Sequence, residues 1–297
     1  MTRIVYVDGR YLPYREAGVH VEDRGFQLAD AVYEVCEVRG GRLVDLDRHL
    51  ARLARSLSAL SIERPMSDRA LAHVVAQTVR RNRVVEGLVY LQVSRGVAPR
   101  EFLPPGPEVS PTVVCLARST HRGQADERAS VGIAVKTVPD IRWGRCDIKT
   151  VMLLPACLAK QAAHAEGARE AWLVDAEGYV TEGASSNAWI VDSDGRLVTR
   201  QVDNAILAGV TRATLADVIR REGLEIVERA FTVAEAQAAR EAFITSATNA
   251  VMPVVRIDGV AIADGAPGPI ARRLREVFHD VAAATPTRRI RPVGRCD

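Results

Sequence analysis

The sequence predicts an α+β protein made of two domains. Strand-like and helix-like segments follow one another without strict β-α-β alternation, and glycine-containing turns join several strands into hairpins. The polar segment 119–128 lacks apolar periodicity, as is typical of a linker. We therefore expect an N-terminal α+β domain over 1–118, this linker, a C-terminal α+β domain over 129–285 that carries Lys149, and a basic tail over 286–297.

The N-terminal half contains alternating apolar runs and two helical patterns. Leucines recur at helical spacing between 46 and 60, so a helix is expected there with Asp45 as its cap, and a second helix is expected over 68–80. The alternating runs predict strands with turns at positions 8–9 and 40–41. These strands are expected over 3–7, 31–38, 42–44, 88–94 and 112–117.

The C-terminal half shows the same mixture. Apolar periodicity predicts a helix over 152–168, a helix that begins after Gly209 and ends at Gly223, and a last helix over 270–283. Short β-rich runs predict strands between them. These strands are expected over 131–138, 171–174, 179–181, 188–191, 225–227 and 242–245.

Composition narrows the class of protein. The 297 residues include 40 basic and 37 acidic side chains, and a formal charge of +3 gives no reason to expect a nucleic-acid partner. The five cysteines form no CxxC pair, which indicates reduced thiols and a cytoplasmic protein. No secretory signal or membrane-spanning run is evident, and the six scattered histidines predict no metal site.

Lys149 is the first candidate for chemistry. It lies between Ile148 and Val151, just before an apolar run, so its ammonium would be partly desolvated. Desolvation lowers the pKa of a lysine and frees a neutral amine that can attack a carbonyl, as in Schiff-base enzymes. Most lysines are solvated surface charges, so the residue alone does not identify a site.

Three stretches could bind an anion. Gly209 precedes Val210 and Thr211 at the start of a predicted helix, where backbone amides favour negative charge. Ser246 and Ala247 follow an apolar strand and could add donors, and a bidentate contact could come from Arg52 on the first helix. Each stretch has an ordinary alternative, namely a helix start, a turn and a surface arginine.

Glu182 ends a predicted strand among small residues. A carboxylate in such a place could keep the ring nitrogen of a pyridine cofactor protonated, because the ion pair favours the charged form. The protonated ring would then act as an electron sink. The alternative is a glutamate that caps a turn.

Several runs together resemble the fold-type IV pyridoxal-phosphate enzymes, most of all the bacterial D-amino acid aminotransferases. The runs cover nearly the whole chain apart from the basic tail, and they are 22–30, 32–35, 49–53, 140–149, 181–187, 203–212 and 243–253. The resemblance implies a two-domain α+β fold with pyridoxal 5'-phosphate at the domain interface, assembled at least as a homodimer.

The resemblance also implies roles for the cofactor-binding residues. Lys149 would bind the cofactor as a Schiff base and carry the 1,3-proton transfer between the substrate Cα and the cofactor. Glu182 would pair with the pyridinium nitrogen, and Leu207 would lie against the ring. The residues implied to hold the phosphate are Arg52, Val210, Thr211, Ser246 and Ala247.

Substrate contacts are implied for three residues. Tyr33 would lie near the lysine, and Arg100 would reach across a dimer interface to the substrate α-carboxylate. Phe102 stands where the best-known D-specific members have a histidine, and an apolar ring cannot donate a hydrogen bond.

Two departures from the family pattern therefore need an explanation. Without a histidine at position 102, Arg100 alone binds the substrate carboxylate, or the substrate differs, or another arginine also binds the carboxylate. The candidates for that other arginine are Arg24, Arg142 and Arg145. Ala247 replaces a phosphate-binding threonine, so the loss of one neutral hydrogen bond, worth about 0.5–1.5 kcal/mol, would weaken cofactor retention without abolishing it.

The implied reaction is transamination between a D-amino acid, such as D-alanine or D-glutamate, and a 2-oxo acid. A branched-chain L-amino acid aminotransferase and an (R)-amine transaminase remain open as alternatives, and Phe102 favours the second of these. An aminodeoxychorismate-type lyase and a protein without catalytic activity are further alternatives, and the intact Lys149 and Glu182 argue against the last one.

Overall fold

A computed structural model describes residues 3–287 of the chain. The described residues form two compact units. Unit 1 comprises 3–122, 148–152 and 283–287, and unit 2 comprises 123–147 and 153–282. Both units combine helices with sheets, as an α+β protein should.

The strands and helices alternate irregularly along the chain. The strands are β1 (Ile4–Val7), β2 (Arg10–Pro13), β3 (Ala31–Arg39), β4 (Arg42–Val44), β5 (Gly87–Ser94), β6 (Thr112–Ser119), β7 (Ile133–Pro139), β8 (Glu170–Val174), β9 (Val180–Gly183), β10 (Asn187–Val191), β11 (Leu197–Thr199), β12 (Ile226–Glu228), β13 (Glu241–Ser246), β14 (Ala250–Ile257), β15 (Val260–Ala261) and β16 (Ala284–Pro286). The helices are α1 (Arg24–Leu28), α2 (Leu46–Ala59), α3 (Asp68–Arg81), α4 (Arg122–Val131), α5 (Leu154–Ala165), α6 (Val210–Arg221), α7 (Val233–Gln237) and α8 (Pro269–Val281). None of the described helices is long and apolar enough to cross a membrane.

Unit 1 is built on an antiparallel sheet with the strand order β16-β4-β3-β5-β6-β1-β2. Buried and less buried residues alternate along β3, as expected of a strand with one face on the core. Helices α2 and α3 pack against this sheet and turn their leucines and valines inward. The turn between β3 and β4 uses Gly40 and Gly41, both at positive φ.

Unit 2 is built on a mixed sheet with the order β12-β11-β10-β13-β14-β7-β8-β9, to which β15 adds at β14. Its core contains four fully buried aromatic side chains. Trp189 stacks on Phe243 at 5.7 Å between ring centroids, and Trp172 meets Phe231 edge-on at 6.0 Å. Trp172, Trp189 and Phe243 lie on β8, β10 and β13, so these rings pack within the sheet of unit 2.

The units differ from the expected domain boundaries in two places. The segment 148–152, called here the lysine segment, groups with unit 1 and not with the C-terminal unit, because it pairs with β3. The expected linker 119–128 contains most of α4, a helix whose Ala129 is buried in the core of unit 2. One buried alanine leaves too weak a periodicity to be seen in the sequence. Residues 288–297 of the expected tail lie outside the described residues.

Asp45 was predicted to cap α2 with its side chain, and this prediction was wrong. Asp45 does precede the helix, but it adopts a left-handed backbone with φ 52° and its side chain makes no capping hydrogen bond. Its carboxylate instead accepts the amide of Ala283 at 2.9 Å. The aspartate therefore ties the C-terminal strand region to α2, and propensity alone did not distinguish these uses.

Candidate active site

The lysine segment is held in unit 1 by its backbone. Val32 and Thr150 form an antiparallel bridge, the amide of Tyr33 donates to the Lys149 carbonyl at 3.0 Å, and the Lys149 amide donates to Ser56 Oγ at 3.3 Å. Its neighbours Ile148 and Thr150 are buried. The segment is thus fixed between β3 and α2, and the Lys149 side chain between its two buried neighbours is half-buried.

The Lys149 amine lies over an aromatic ring. Its Nζ is 4.2 Å from the centroid of Tyr33, which itself stacks on Tyr90 at 5.5 Å. Burial raises the pKa of Tyr90 to about 12, and its hydroxyl donates to Gln92. The structure therefore brings together the predicted lysine and the predicted tyrosine.

Arg52 belongs to a buried cluster that the sequence did not reveal. Its Nε and Nη2 donate to the two oxygens of Glu34 at 2.8 and 2.7 Å, and His49 Nδ1 lies 2.7 Å from Glu34 Oε2. Burial would raise the pKa of Glu34, but the charge and hydrogen bonds of Arg52 and His49 outweigh it and lower the pKa to about 2. Glu34 therefore orients the guanidinium of Arg52. The sequence did contain a signal for this cluster: Glu34 is a carboxylate at a position where the alternation of β3 predicts a buried side chain.

Glu182 lies at the end of β9 in unit 2 and is 5 % exposed. Arg142 Nη1 donates to Oε1 at 2.5 Å, Asn187 Nδ2 donates to Oε2 at 2.9 Å, and the Leu207 amide lies 3.2 Å from both oxygens. Such donors favour the carboxylate over the protonated acid. Glu182 is thus a fixed, buried anion, and Leu207 is held beside it.

Arg142 connects Glu182 to a second carboxylate. It binds Asp140 with Nε at 2.9 Å and Nη2 at 2.7 Å, and Thr181 donates to the same Asp140 at 2.7 Å. Burial would lower the pKa of Arg142, but Asp140 and Glu182 outweigh it and raise the pKa. An open cavity of about 660 Å³ borders this network. Cys146 lines the cavity, and burial raises the pKa of its thiol to about 11, which favours the neutral thiol.

Helix α6 begins with a bare N-terminus. Gly209 precedes it and offers no side-chain cap, so the amides of Val210 and Thr211 have the orientation that suits an anion. A Cβ at Gly209 would overlap the Asn187 amide oxygen, so glycine is required there. Asn187 also donates to the Leu207 carbonyl at 3.0 Å, which ties this helix start to Glu182.

Ser246 is the last residue of β13, and Ala247 begins the turn that follows it. Ser246 Oγ is 3.1 Å from Thr248 Oγ1 and accepts from Asn249 Nδ2 at 3.1 Å. The preceding residue, Thr245, pairs with Asn187 across β10 and β13, which brings this turn next to the other candidates of unit 2.

Arg100 and Phe102 lie on an exposed loop of unit 1. Arg100 has no hydrogen bond or ion pair to any residue in the described part of the chain, and its Cζ lies 5.9 Å from the Phe102 ring centroid. Phe102 is 81 % exposed.

Arg24, Arg142 and Arg145, which could have replaced a histidine at position 102, each form an ion pair with another side chain. Arg24 binds Asp30 and backbone carbonyls, Arg142 binds Asp140 and Glu182, and Arg145 binds Asp147 with two hydrogen bonds at 2.9 Å. A guanidinium paired in this way is a poor carboxylate ligand, so Arg100 remains as the candidate.

The structure therefore distributes the predicted residues over the two units. Tyr33, Arg52, Arg100, Phe102 and Lys149 belong to unit 1, and the remaining ones belong to unit 2. Within residues 3–287, no three histidine, cysteine, aspartate or glutamate side chains could hold a metal ion.

Comparison with known proteins shows similarity along most of the chain. The family model "Amino-transferase class IV" matches residues 31–257. D-alanine aminotransferase of Staphylococcus haemolyticus is 38 % identical, over 93 % of this chain and 96 % of the relative. D-alanine aminotransferase of Listeria innocua is 39 % identical, over 92 % and 94 % of the two chains.

The structural relatives share the fold. The branched-chain aminotransferase of Thermoproteus uzoniensis with norvaline superimposes with a TM-score of 0.83 and 26 % identity, covering 94 % of each chain. A second branched-chain amino acid aminotransferase, solved with pyridoxamine 5'-phosphate, superimposes with a TM-score of 0.86 and 26 % identity, again over 94 % of each chain. The expected two-unit fold-type IV architecture is thereby confirmed. The chain belongs to the class IV aminotransferases.

Proposed function

We propose that the protein is a pyridoxal-phosphate-dependent D-amino acid aminotransferase, which moves an amino group between a D-amino acid of the D-alanine or D-glutamate type and a 2-oxo acid. The observation that carries this proposal is the 38 % identity to a D-alanine aminotransferase over 93 % of the chain. The branched-chain relative with pyridoxamine 5'-phosphate shares only 26 % of its residues with this chain, although the fold is common to both.

The residues present fit the cofactor. Pyridoxal phosphate carries an aldehyde, a ring nitrogen and a phosphate, and the chain offers a lysine, a buried carboxylate and an uncapped helix start. The glycine at the helix start has no side chain that could accept from the amides of Val210 and Thr211. When bound, the cofactor supplies an electron sink that stabilises negative charge at the substrate Cα.

Lys149 is the proposed catalytic residue. Its amine would hold the cofactor through the aldehyde, and, when freed by the substrate amine, it would carry the proton in the 1,3-transfer between the substrate Cα and the cofactor. The backbone contacts of the lysine segment to β3 and α2 fix the origin of this side chain, and Tyr33 lies under the amine.

Glu182 is proposed to keep the ring nitrogen protonated. The Arg142, Asn187 and Leu207 donors hold its carboxylate in the charged form, which favours a proton on a facing nitrogen. Leu207 would lie against the ring. The phosphate would be held by Arg52, by the Val210 and Thr211 groups and by the Ser246–Ala247 turn.

Arg100 is proposed to bind the substrate α-carboxylate, with Phe102 as an apolar neighbour. A guanidinium that has no polar partner among residues 3–287 suits a ligand or a second copy of the chain. We therefore propose a homodimer in which Arg100 serves the partner's site. We also propose a cytoplasmic location, where the reduced thiols expected from the cysteine spacing would persist.

One alternative is favoured by a particular residue. Phe102 removes a hydrogen-bond donor from the carboxylate side of the site, which would suit an amine without a carboxylate. An (R)-amine transaminase is therefore the second candidate function.

A substrate panel tests the proposal. Purified protein with pyridoxal phosphate should be yellow, and the colour should fade with D-alanine but persist with L-leucine or with a simple (R)-amine. Fading with L-leucine alone would show a branched-chain enzyme, and fading with the amine alone would show the second candidate. Protein that stays colourless after reconstitution would contradict all three.

A further inference from the structure

The loop that carries Arg100 has no regular secondary structure. We call residues 95–103 the arginine loop; its residues from Arg100 to Leu103 are exposed. Exposed loops move unless other groups restrain them, whereas a charged group that orients a substrate has to be fixed. The restraint on this loop therefore matters for the proposed role of Arg100, on which the following inference rests.

A buried guanidinium supplies the restraint. Arg24 is 4 % exposed, and its Nη1 donates to the Glu101 carbonyl at 2.6 Å and to the Leu103 carbonyl at 3.4 Å, while Nη2 lies 3.5 Å from the Phe102 carbonyl. Three successive carbonyls directly after Arg100 thus converge on one side chain. These carbonyls contact a buried side chain, while the side chain of Phe102 is exposed.

Asp30 fixes the guanidinium in turn. Arg24 Nε donates to Asp30 Oδ2 at 2.8 Å. Arg95 binds the same carboxylate at 2.7 Å, but its other donors go to the carbonyls of Leu60 and Ser61. Arg24 and Arg95 therefore share an acid and differ in the backbone that they hold.

The first part of the loop is fastened differently. The Arg24 amide donates to the Gly96 carbonyl at 2.9 Å, the Ala98 amide donates to the Glu22 carbonyl at 3.3 Å, and Asp23 bridges to Val97. Backbone bonds thus restrain the residues before Arg100, and the Arg24 side chain restrains the residues after it.

We propose that Arg24, oriented by Asp30, is a positioning residue for substrate-carboxylate recognition. By holding the carbonyls of Glu101, Phe102 and Leu103 it fixes the backbone from which Arg100 projects. Arg24 does not touch the substrate itself. Its contribution is to substrate affinity, because it determines where the Arg100 guanidinium stands before the substrate binds.

The test compares Arg24→Lys with Arg95→Lys. A lysine keeps the charge near Asp30, but its single ammonium cannot reach the carboxylate and three carbonyls together. We expect Arg24→Lys to raise the KM for D-alanine by roughly 10- to 100-fold, the usual effect of a misplaced binding group, with kcat close to that of the parent enzyme. Arg95→Lys should change neither constant appreciably.

A second measurement does not depend on turnover. Limited trypsin cleavage after Arg100, followed in the cofactor-free protein, should accelerate in Arg24→Lys and not in Arg95→Lys. Should Arg24→Lys fail to fold, Arg24→Gln serves instead, because its amide cannot reach all three carbonyls while the pair between Arg95 and Asp30 is kept.

The outcomes separate this inference from the proposed function. If Arg100→Ala raises the KM for D-alanine and Arg24→Lys does not, the positioning role is wrong and the function stands. Equal effects of Arg24→Lys and Arg95→Lys would also overturn it, since loss of the shared Asp30 contact would then explain both. If Arg100→Ala leaves KM unchanged, the carboxylate role of Arg100 fails, and the inference fails with it.

Discussion

Lys149 gives the most direct test at the scale of single residues. Lys149→Ala removes both the covalent anchor and the proton carrier, so turnover should fall to the background rate. Borohydride reduction of the parent enzyme with pyridoxal phosphate should label the peptide that contains residue 149. Lys136→Ala is the matched control, because that lysine only pairs with Asp258 at 3.4 Å. A label on Lys136 or Lys160 would show that another amine is the anchor.

Glu182→Gln tests the ring-nitrogen contact. The amide keeps the size of the side chain but not its charge, so the cofactor should stay bound while removal of the Cα proton slows. The rate of solvent deuterium uptake at the D-alanine Cα measures this step. Glu177→Gln, on an exposed turn of the same unit, is the control. Equal deuterium uptake in the two variants would mean that another group protonates the ring.

The sequence indicated Lys149 and Glu182 as site residues, but it did not indicate the side chains that hold the site residues in place. Lys149 and Glu182 stood out because charged groups next to small or apolar neighbours are unusual. The contacts of Arg142 with Glu182 and of Glu34 with Arg52 join residues 40 and 18 positions apart, and no local pattern carries such information. The roles of the site residues therefore stay predictions, whereas their surroundings are structural findings.

At the scale of elements, the cluster of Glu34, His49 and Arg52 joins β3 to α2. Glu34→Gln should remove the carboxylate that pairs with the buried Arg52 and lower the free energy of unfolding by about 3–5 kcal/mol. Urea unfolding at neutral pH measures this loss. Glu37→Gln, on the same strand but on its less buried face, should cost far less.

The same cluster predicts a pH dependence of stability. The pKa of Glu34 is about 2 in the folded protein against an ordinary 4.5, so the unfolded chain binds the proton first as the pH falls. The stabilisation is complete above pH 4.5 and is lost as the pH falls towards 2. Urea unfolding between about pH 5 and 2 should show a shallower decline for Glu34→Gln than for Glu37→Gln, and identical declines would contradict the cluster's role.

Most elements could be predicted, and the exceptions have physical causes. The β3–β4 hairpin and helices α2, α3 and α6 have strong periodicity and clear turn residues, and the structure contains them. Strand β14 was not expected, since Pro253 argues against a central strand, yet Pro253 pairs with Phe243 between β13 and β7. Strand β11 has three residues, too few for periodicity to show.

At the scale of the whole molecule, the two units are not continuous along the chain. The lysine segment belongs to unit 1, although the residues on both sides of it, up to Asp147 and from Leu153, belong to unit 2. A single cut therefore cannot separate the units without removing Lys149 from the sheet that holds it. Composition marks a polar stretch such as 119–128, but the return of a short segment to an earlier sheet depends on long-range pairing and leaves no mark in the local sequence.

The proposed homodimer gives the last prediction, because Arg100 and Lys149 of one chain would then serve different sites. Arg100→Ala and Lys149→Ala should each be inactive or nearly so under limiting D-alanine. In a mixed dimer of the two variants, one site combines the intact Lys149 of one chain with the intact Arg100 of the other. After unfolding and refolding an equal mixture, about half of the dimers are mixed and each has one complete site, so activity should return to about a quarter of the parent value.

Refolding each variant alone provides the control, since neither can regain a complete site. If Arg100 acts within its own chain, the mixed dimer contains one site without the lysine and one without the arginine, and mixing restores nothing. The Arg100 guanidinium, which pairs with no acid among residues 3–287 and lies on a loop fastened by Arg24, is the feature that favours recovery. Recovered activity would thus establish both the dimer and the chain from which the carboxylate ligand comes.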